Sequence, residues 1–153
     1  MNTTKFSLPV ALLFVFSLPV LAESETRDLE GFNAIEVGGG IDLYVQEGDQ
    51  FSVEVVSTRG DTDDILTEIN NEILTIHHKH SMFSNRSRFA NHTVNITLPV
   101  LQSLSASGGS DVRGENTFSG DRLEINTSGG SDLSIEVDVD SLEFSASGGS
   151  DAT

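Results

Sequence analysis

The side chains best suited to chemistry in this sequence are four histidines and three repeated aspartates. His77, His78 and His80 fall within four positions, and His92 follows a short way on. Imidazole suits zinc, copper and nickel. On a strand His78 and His80 would share a face while His77 pointed away, so His78 and His80 are the candidate transition-metal pair. No carboxylate lies between Glu72 and Asp111, so the acids that ordinarily orient metal-bound histidines would have to come from elsewhere. Solvated loop histidines are therefore the favoured reading. The same acid-free stretch carries Lys79, Arg86 and Arg88. That basic island would suit an anionic glycan or another subunit's acidic face, but an ordinary polar loop explains it more simply.

The aspartates belong to a repeated motif. Ser105-Ala-Ser-Gly-Gly-Ser-Asp111 recurs as Asn126-Thr-Ser-Gly-Gly-Ser-Asp132 and as Ser145-Ala-Ser-Gly-Gly-Ser-Asp151. Stacked, Asp111, Asp132 and Asp151 would repel one another, and calcium would relieve that repulsion. Nonapeptide β-rolls bind calcium with Gly-Gly-x-Gly-x-Asp every nine residues, whereas here the third glycine and that period are missing. Calcium also wants six to eight oxygens. The favoured reading has each Asp accepting backbone N–H bonds in its own turn.

Catalysis finds little support. Serines are many, but no Gly-x-Ser-x-Gly elbow occurs. Some β-helical proteins cleave acidic polysaccharides with a basic residue beside acids, and Arg113 and Arg122 lie near Asp111 and Asp121. Residues 99–153 carry 10 acids against those 2 bases, a field that repels an anionic substrate. For stacking on sugars the chain has no Trp and a lone tyrosine, Tyr44, with Phe83 and Phe89 in the polar loop. No catalytic residue and no cofactor is expected.

The repeats show what must hold these residues. Their offsets are 21 and 19, a period in the range of solenoids. Leu104, Ile125 and Phe144 form one column, Ala106, Thr127 and Ala146 a second, and Val112, Leu133 and Ala152 a third. Within each unit, apolar and polar residues alternate at period two, the strand signal, and Gly-Gly marks a tight corner. Such a unit buries its apolar face only by stacking on copies of itself. The expected fold is all-β: a right-handed parallel β-helix or β-solenoid with rungs of about 20 residues over 99–153, preceded by N-terminal strands and hairpins over 23–98.

In that earlier part, Phe32–Val37, Ile41–Val45, Phe51–Val55 and Thr93–Leu98 read as strands, and Glu68–Asn70 with Ile73–Ile76 as a hairpin. Thr62–Ile69 admits a short helix as the weaker reading. Residues 77–92 read as a long polar loop.

Composition bounds the partners. The 153 residues hold 24 acids and 8 bases, a net charge of −16, which argues against nucleic acid. Cysteine is absent, which excludes disulfides and thiolate sites. Residues 1–22 combine Lys5, an apolar run and a Val20-Leu21-Ala22 ending, the layout of a secretory signal cleaved after Ala22. Removing Lys5 leaves 7 bases and 24 acids, or −17. The remaining 23–153 is expected to be one exported domain without a transmembrane segment, in the periplasm, at the cell surface or outside the cell.

Arg27, Phe32, Ile35, Gly40-Ile-Asp-Leu43 and Gly48-Asp49 together resemble the opening of the putative autotransporter adhesin "head GIN" domain. Ile73–Ile76, Val94–Pro99, Leu101 and the Ser-Gly-Gly-Ser-Asp repeats extend the resemblance over about residues 26–153. It implies a secreted, β-helical, non-enzymatic domain with no established catalytic residues. Family members usually continue through further repeats, and this chain stops two residues after Asp151. The expected function is an interaction, adhesin-like or scaffold domain of the cell envelope that engages a protein or glycan. Beyond about Val139 the end of the chain is expected either to fray, the favoured outcome at low salt, or to pair end to end with a second copy. The alternatives are a polysaccharide-active enzyme on a β-helix and a calcium-binding β-solenoid module.

Overall fold

Alternating apolar residues become paired strands almost throughout the structure, a computed structural model that describes residues 22–79 and 91–153. The described residues form β1 (Glu23–Arg27), β2 (Ala34–Gly38), β3 (Asp42–Glu47), β4 (Ser52–Arg59), β5 (Ile65–Asn70), β6 (Ile73–His78), β7 (Asn91–Leu98), β8 (Ser103–Ser107), β9 (Val112–Thr127), β10 (Asp132–Ala146) and β11 (Asp151–Ala152). Among them there is no α-helix. The weaker helical reading of Thr62–Ile69 gives way to a 3₁₀ turn at Thr62–Asp64, with β5 starting at the buried, β-branched Ile65.

All eleven strands belong to one sheet, ordered β1-β4-β7-β3-β9-β8-β2-β6-β5, with β10 along β9 and β11 along β10. The sheet curls into a half-barrel because β9 serves two walls. Its start pairs with β3, from Leu43↔Val112, and its end pairs with β8, through Ala106↔Thr127. One wall is therefore β1-β4-β7-β3 with the start of β9, and the other is β5-β6-β2-β8 with its end. Val53, Val55, Val94, Ile96, Leu43 and Val45 line the first wall's inner face. Ile35, Val37, Leu74, Ile76, Leu104 and Ile125 line the second's, and all share one core.

The residues of the expected columns are in register. Leu104↔Ile125 and Phe144↔Ile125 are register partners in parallel pairs, and Leu133↔Val112 and Leu133↔Ala152 align the third column. Parallel stacking is not confined to the repeats, however. β2 lies between β6 and β8, and β3 between β7 and β9, all in parallel. The N-terminal strands are thus built into the stack instead of preceding it as separate hairpins. Antiparallel pairing closes the sheet's two ends, β5 on β6 and β1 and β7 on β4. The β5–β6 turn places Asn71 and Glu72 at φ 52° and 65°, the mirror-image turn that suits strand twist.

Glycine is needed at the corners for more than its turn. Gly129 has φ +70°, and a Cβ there would sit 2.9 Å from the backbone nitrogen of Gly108 in the neighbouring corner. Within β9, a Cβ on Gly114 would meet Ile135 at 2.9 Å and the ring of buried Phe118 at 3.1 Å.

β1 left no trace in the hydrophobic pattern because Glu-Ser-Glu-Thr-Arg carries no apolar residue. Polar linkage secures it: Arg27 Nη2 donates to the Thr62 carbonyl at 3.1 Å, and Thr62 N–H donates to Glu23 Oε2 at 3.3 Å. A short charged strand is a common way to blunt a sheet edge.

Candidate interaction surfaces

Among the described residues, the corner motif uses its serine, not its aspartate, as the side-chain acceptor. Ser110 and Ser131 are fully buried. Ser110 Oγ accepts from Gly40 and Ile41 N–H, each at 3.2 Å, and Ser131 Oγ accepts from Ser110 N–H at 3.2 Å. Each hydroxyl thus satisfies the backbone of the corner before it, a need every buried N–H has. The carboxylates Asp111, Asp132 and Asp151 stand exposed outside this ladder, with Asp132 and Asp151 register partners.

Asp42 is a fourth member that the sequence concealed. The pairs Gly38↔Ser107 and Leu43↔Val112 set Gly39-Gly40-Ile41-Asp42 on Gly108-Gly109-Ser110-Asp111. Ile41 occupies the serine position, so the motif is disguised, although Gly-Gly and Asp keep their spacing. Burial and then the neighbouring charge of Asp111 raise the Asp42 pKa above its usual 3.8, against the opposing pull of Arg113.

His78 and His92 meet, while His80 lies outside the described residues, as do Arg86, Arg88, Phe83 and Phe89. The rings of His78 and His92 are 5.4 Å apart, edge to face. Their Nε2 atoms bond the carbonyls of Gly39 at 3.1 Å and Asp61 at 3.0 Å. His92 is buried opposite Ser57 in the ladder, so it is a strand residue of the core and not a loop residue. Burial and the charge of His92 lower the His78 pKa from 6.5, against the Gly39 bond and Asp64. Among the described residues no three His, Asp or Glu side chains converge on a point where a metal ion would sit. Arg122 pairs with Glu143 on the adjacent strand β10 at 2.6 Å, both exposed, and not with Asp121.

The outer faces of the two walls are ordered rows of polar side chains. On the β6-β2-β8-β9-β10 wall, register places Thr75, Glu36, Ser105, Asn126 and Ser145 side by side. They floor a shallow trough of about 570 Å³. On the other wall the row is Glu54, Asn95, Tyr44, Arg113 and Ser134. Tyr44 is therefore not isolated: planar amides and carboxylates surround it.

Comparison with known proteins agrees with this geometry. The model of the family "Putative auto-transporter adhesin, head GIN domain" matches residues 31–153. The chain belongs to that family. This head GIN domain also resembles solved structures. A "putative adhesin" from Parabacteroides distasonis superposes with a TM-score of 0.78 at 22% identity, over 86% of this chain and 56% of that one. One from Parabacteroides merdae gives 0.71 at 20%, over 86% and 55%. One from Bacteroides fragilis gives 0.62 at 17%, over 86% and 79%. The chain thus spans little more than half the length of the first two. No curated protein matches the sequence. At these identities the likeness concerns fold alone.

Proposed function

We propose that this head GIN domain is an exported, non-enzymatic interaction domain of the cell envelope, binding a protein or glycan through the outer faces of its sheet. The observation that carries the reading is the contrast between the two sides of each wall. Leu104 and Ile125 are buried inside, while Ser105 and Asn126, their chain neighbours, line an ordered row outside. A rigid sheet that holds polar side chains in fixed rows is suited to recognition, because little side-chain order remains to be imposed on binding.

Export rests on the signal-like residues 1–22 with cleavage after Ala22. It is supported by the start of the first strand at Glu23. Residues 23–153 then act as one domain. In architecture the reading is a short right-handed parallel β-helix with rungs of about 20 residues, supported by the parallel registers and by the general right-handedness of parallel crossovers. The open edge of β10, where Leu142 and Phe144 are 49% and 48% exposed, supports end-to-end pairing of copies.

The test is competition binding. Beads coated with the mature chain are expected to adhere saturably to intact cells or purified envelopes. Soluble chain should compete, and Asn126→Arg or Ser105→Arg should weaken adhesion. Absence of saturable, competable binding, or release of reducing sugar from envelope polysaccharide, would contradict the reading.

A further inference from the structure

We propose that Tyr44 anchors a binding site for an uncharged, hexose-based glycan on the outer face of β4-β7-β3-β9. The inference rests on the interaction reading above and adds a ligand class and a location to it.

Tyr44 is the only tyrosine in a chain without tryptophan. It stands on β3 between Leu43 and Val45, which are both fully buried, so strand alternation turns the phenol outward. There it is half-buried, opposite Asn95 on β7 and Arg113 on β9. Tyr44, Gln46, Ser52, Glu54, Asn95 and Thr97 line a trough of about 470 Å³, within the range of small-ligand sites.

The polar groups of the trough are already positioned. Asn95 Nδ2 donates to Glu54 Oε2 at 3.1 Å, and Gln46 Nε2 donates to Thr97 Oγ1 at 2.9 Å. Outside the trough, where β3 ends, Asn116 exchanges two 2.8 Å bonds with the Glu47 backbone, and Ser119 N–H donates to Glu47 Oε2 at 2.9 Å. Within the trough, each bond uses one of the two N–H donors of its amide, so the second stays available to a ligand. Asn95 Oδ1, Gln46 Oε1 and Glu54 Oε1 remain as acceptors with no donor from the described residues.

A ring face beside a set of acceptors complements a ligand with one apolar face and several hydroxyl donors. A hexose ring has both, since its C–H face packs on an aromatic ring while its equatorial hydroxyls donate sideways. Tyrosine suits this role because it offers a large, rigid, amphipathic surface. Charge selects further. Glu54, Glu115, Asp42 and Asp111 surround the row against the single base Arg113. Uronates and sulfated sugars would meet repulsion.

The composition supplies a direct probe, because the fluorescence of the chain comes from Tyr44 alone among tyrosine and tryptophan. Mature chain is titrated with cellohexaose, maltohexaose and mannohexaose, and with hexagalacturonate as the anionic comparison. The expected result is a saturable change in Tyr44 emission with at least one neutral hexasaccharide and none with hexagalacturonate. By calorimetry, Tyr44→Ala and the exposed-site variant Gln46→Ala should weaken that binding roughly tenfold, and Tyr44→Phe should largely preserve it. Thermal midpoints should stay near wild type, because a purely structural tyrosine would move the midpoint instead of the affinity. Hexasaccharide binding untouched by Tyr44→Ala and Gln46→Ala would overturn this site and leave the interaction reading standing. So would saturable envelope adhesion without a response to any neutral sugar. A preference for hexagalacturonate would overturn the ligand class, and shortening of any oligosaccharide would overturn the non-enzymatic reading itself.

Discussion

Ser131 Oγ accepts a hydrogen bond from the backbone N–H of Ser110 at 3.2 Å, and both residues are fully buried. This contact gives the Ser-Gly-Gly-Ser-Asp repeat its structural meaning. Positive-φ glycines turn the chain, and the serine after them closes the backbone of the previous corner. Ser131→Ala leaves a buried N–H without its partner, which costs about 1–3 kcal/mol. Ser150→Ala removes only a bond to the Ser147 carbonyl in an exposed turn and should cost well under that. Denaturant unfolding of the two variants checks the difference.

The column assignment predicts a second contrast. Ile125 is 3% exposed between Leu104 and Phe144 in register. Ile125→Asp places an unpaired charge in that column and should cost at least about 3 kcal/mol. Ser128→Ala, beyond the strand's end and half-exposed, should change stability by less than about 0.5 kcal/mol. Equal losses in urea unfolding would show the inward face to be misassigned.

Acid should weaken the fold through His78. Its folded-state pKa is lowered, chiefly by burial and then by His92, so the unfolded chain binds the proton first. Stability from this residue is therefore complete above about pH 6.5 and declines as pH falls toward the folded-state value. Thermal midpoints measured from pH 8 to 5 should drop, and His78→Gln should flatten that part of the curve. An unchanged slope in the variant would remove His78 from the explanation.

Asp42 works in the opposite sense. Its pKa is raised by burial and by Asp111, so its ionised form opposes folding at neutral pH. The opposition is relieved as pH falls through the folded-state value toward 3.8. Asp42→Asn should raise the melting midpoint slightly at pH 7 and lose its advantage near pH 4. A variant less stable than wild type at pH 7 would mean that the carboxylate has a partner that favours its charge.

Much of this fold was legible because Leu104, Ile125 and Phe144 share both residue type and spacing, and parallel stacking converts spacing into register. The Asn-rich hairpin was legible for similar reasons, since its turn needs residues that tolerate positive φ. Three features escaped. β1 is held by Arg27 and Glu23 and carries no apolar alternation. The Gly39–Asp42 corner hides 69 residues before its partner, with Ile41 replacing the serine. His92 looked like a loop residue because no local pattern reveals that Ser57 faces it across β4 and β7. The polar rows around Tyr44 and Asn126 draw on five strands each, so no single stretch of sequence contains them.

The most direct test of recognition by the outer rows is hydroxyl-radical footprinting of the mature chain, free and bound to envelope fragments. The outer-face residues Tyr44, Asn95 and Asn126 should become protected on binding, while the buried columns of Leu104 and Ile125 stay unreactive in both states. Protection confined to the corner aspartates, with Tyr44 and Asn126 equally reactive free and bound, would contradict the account.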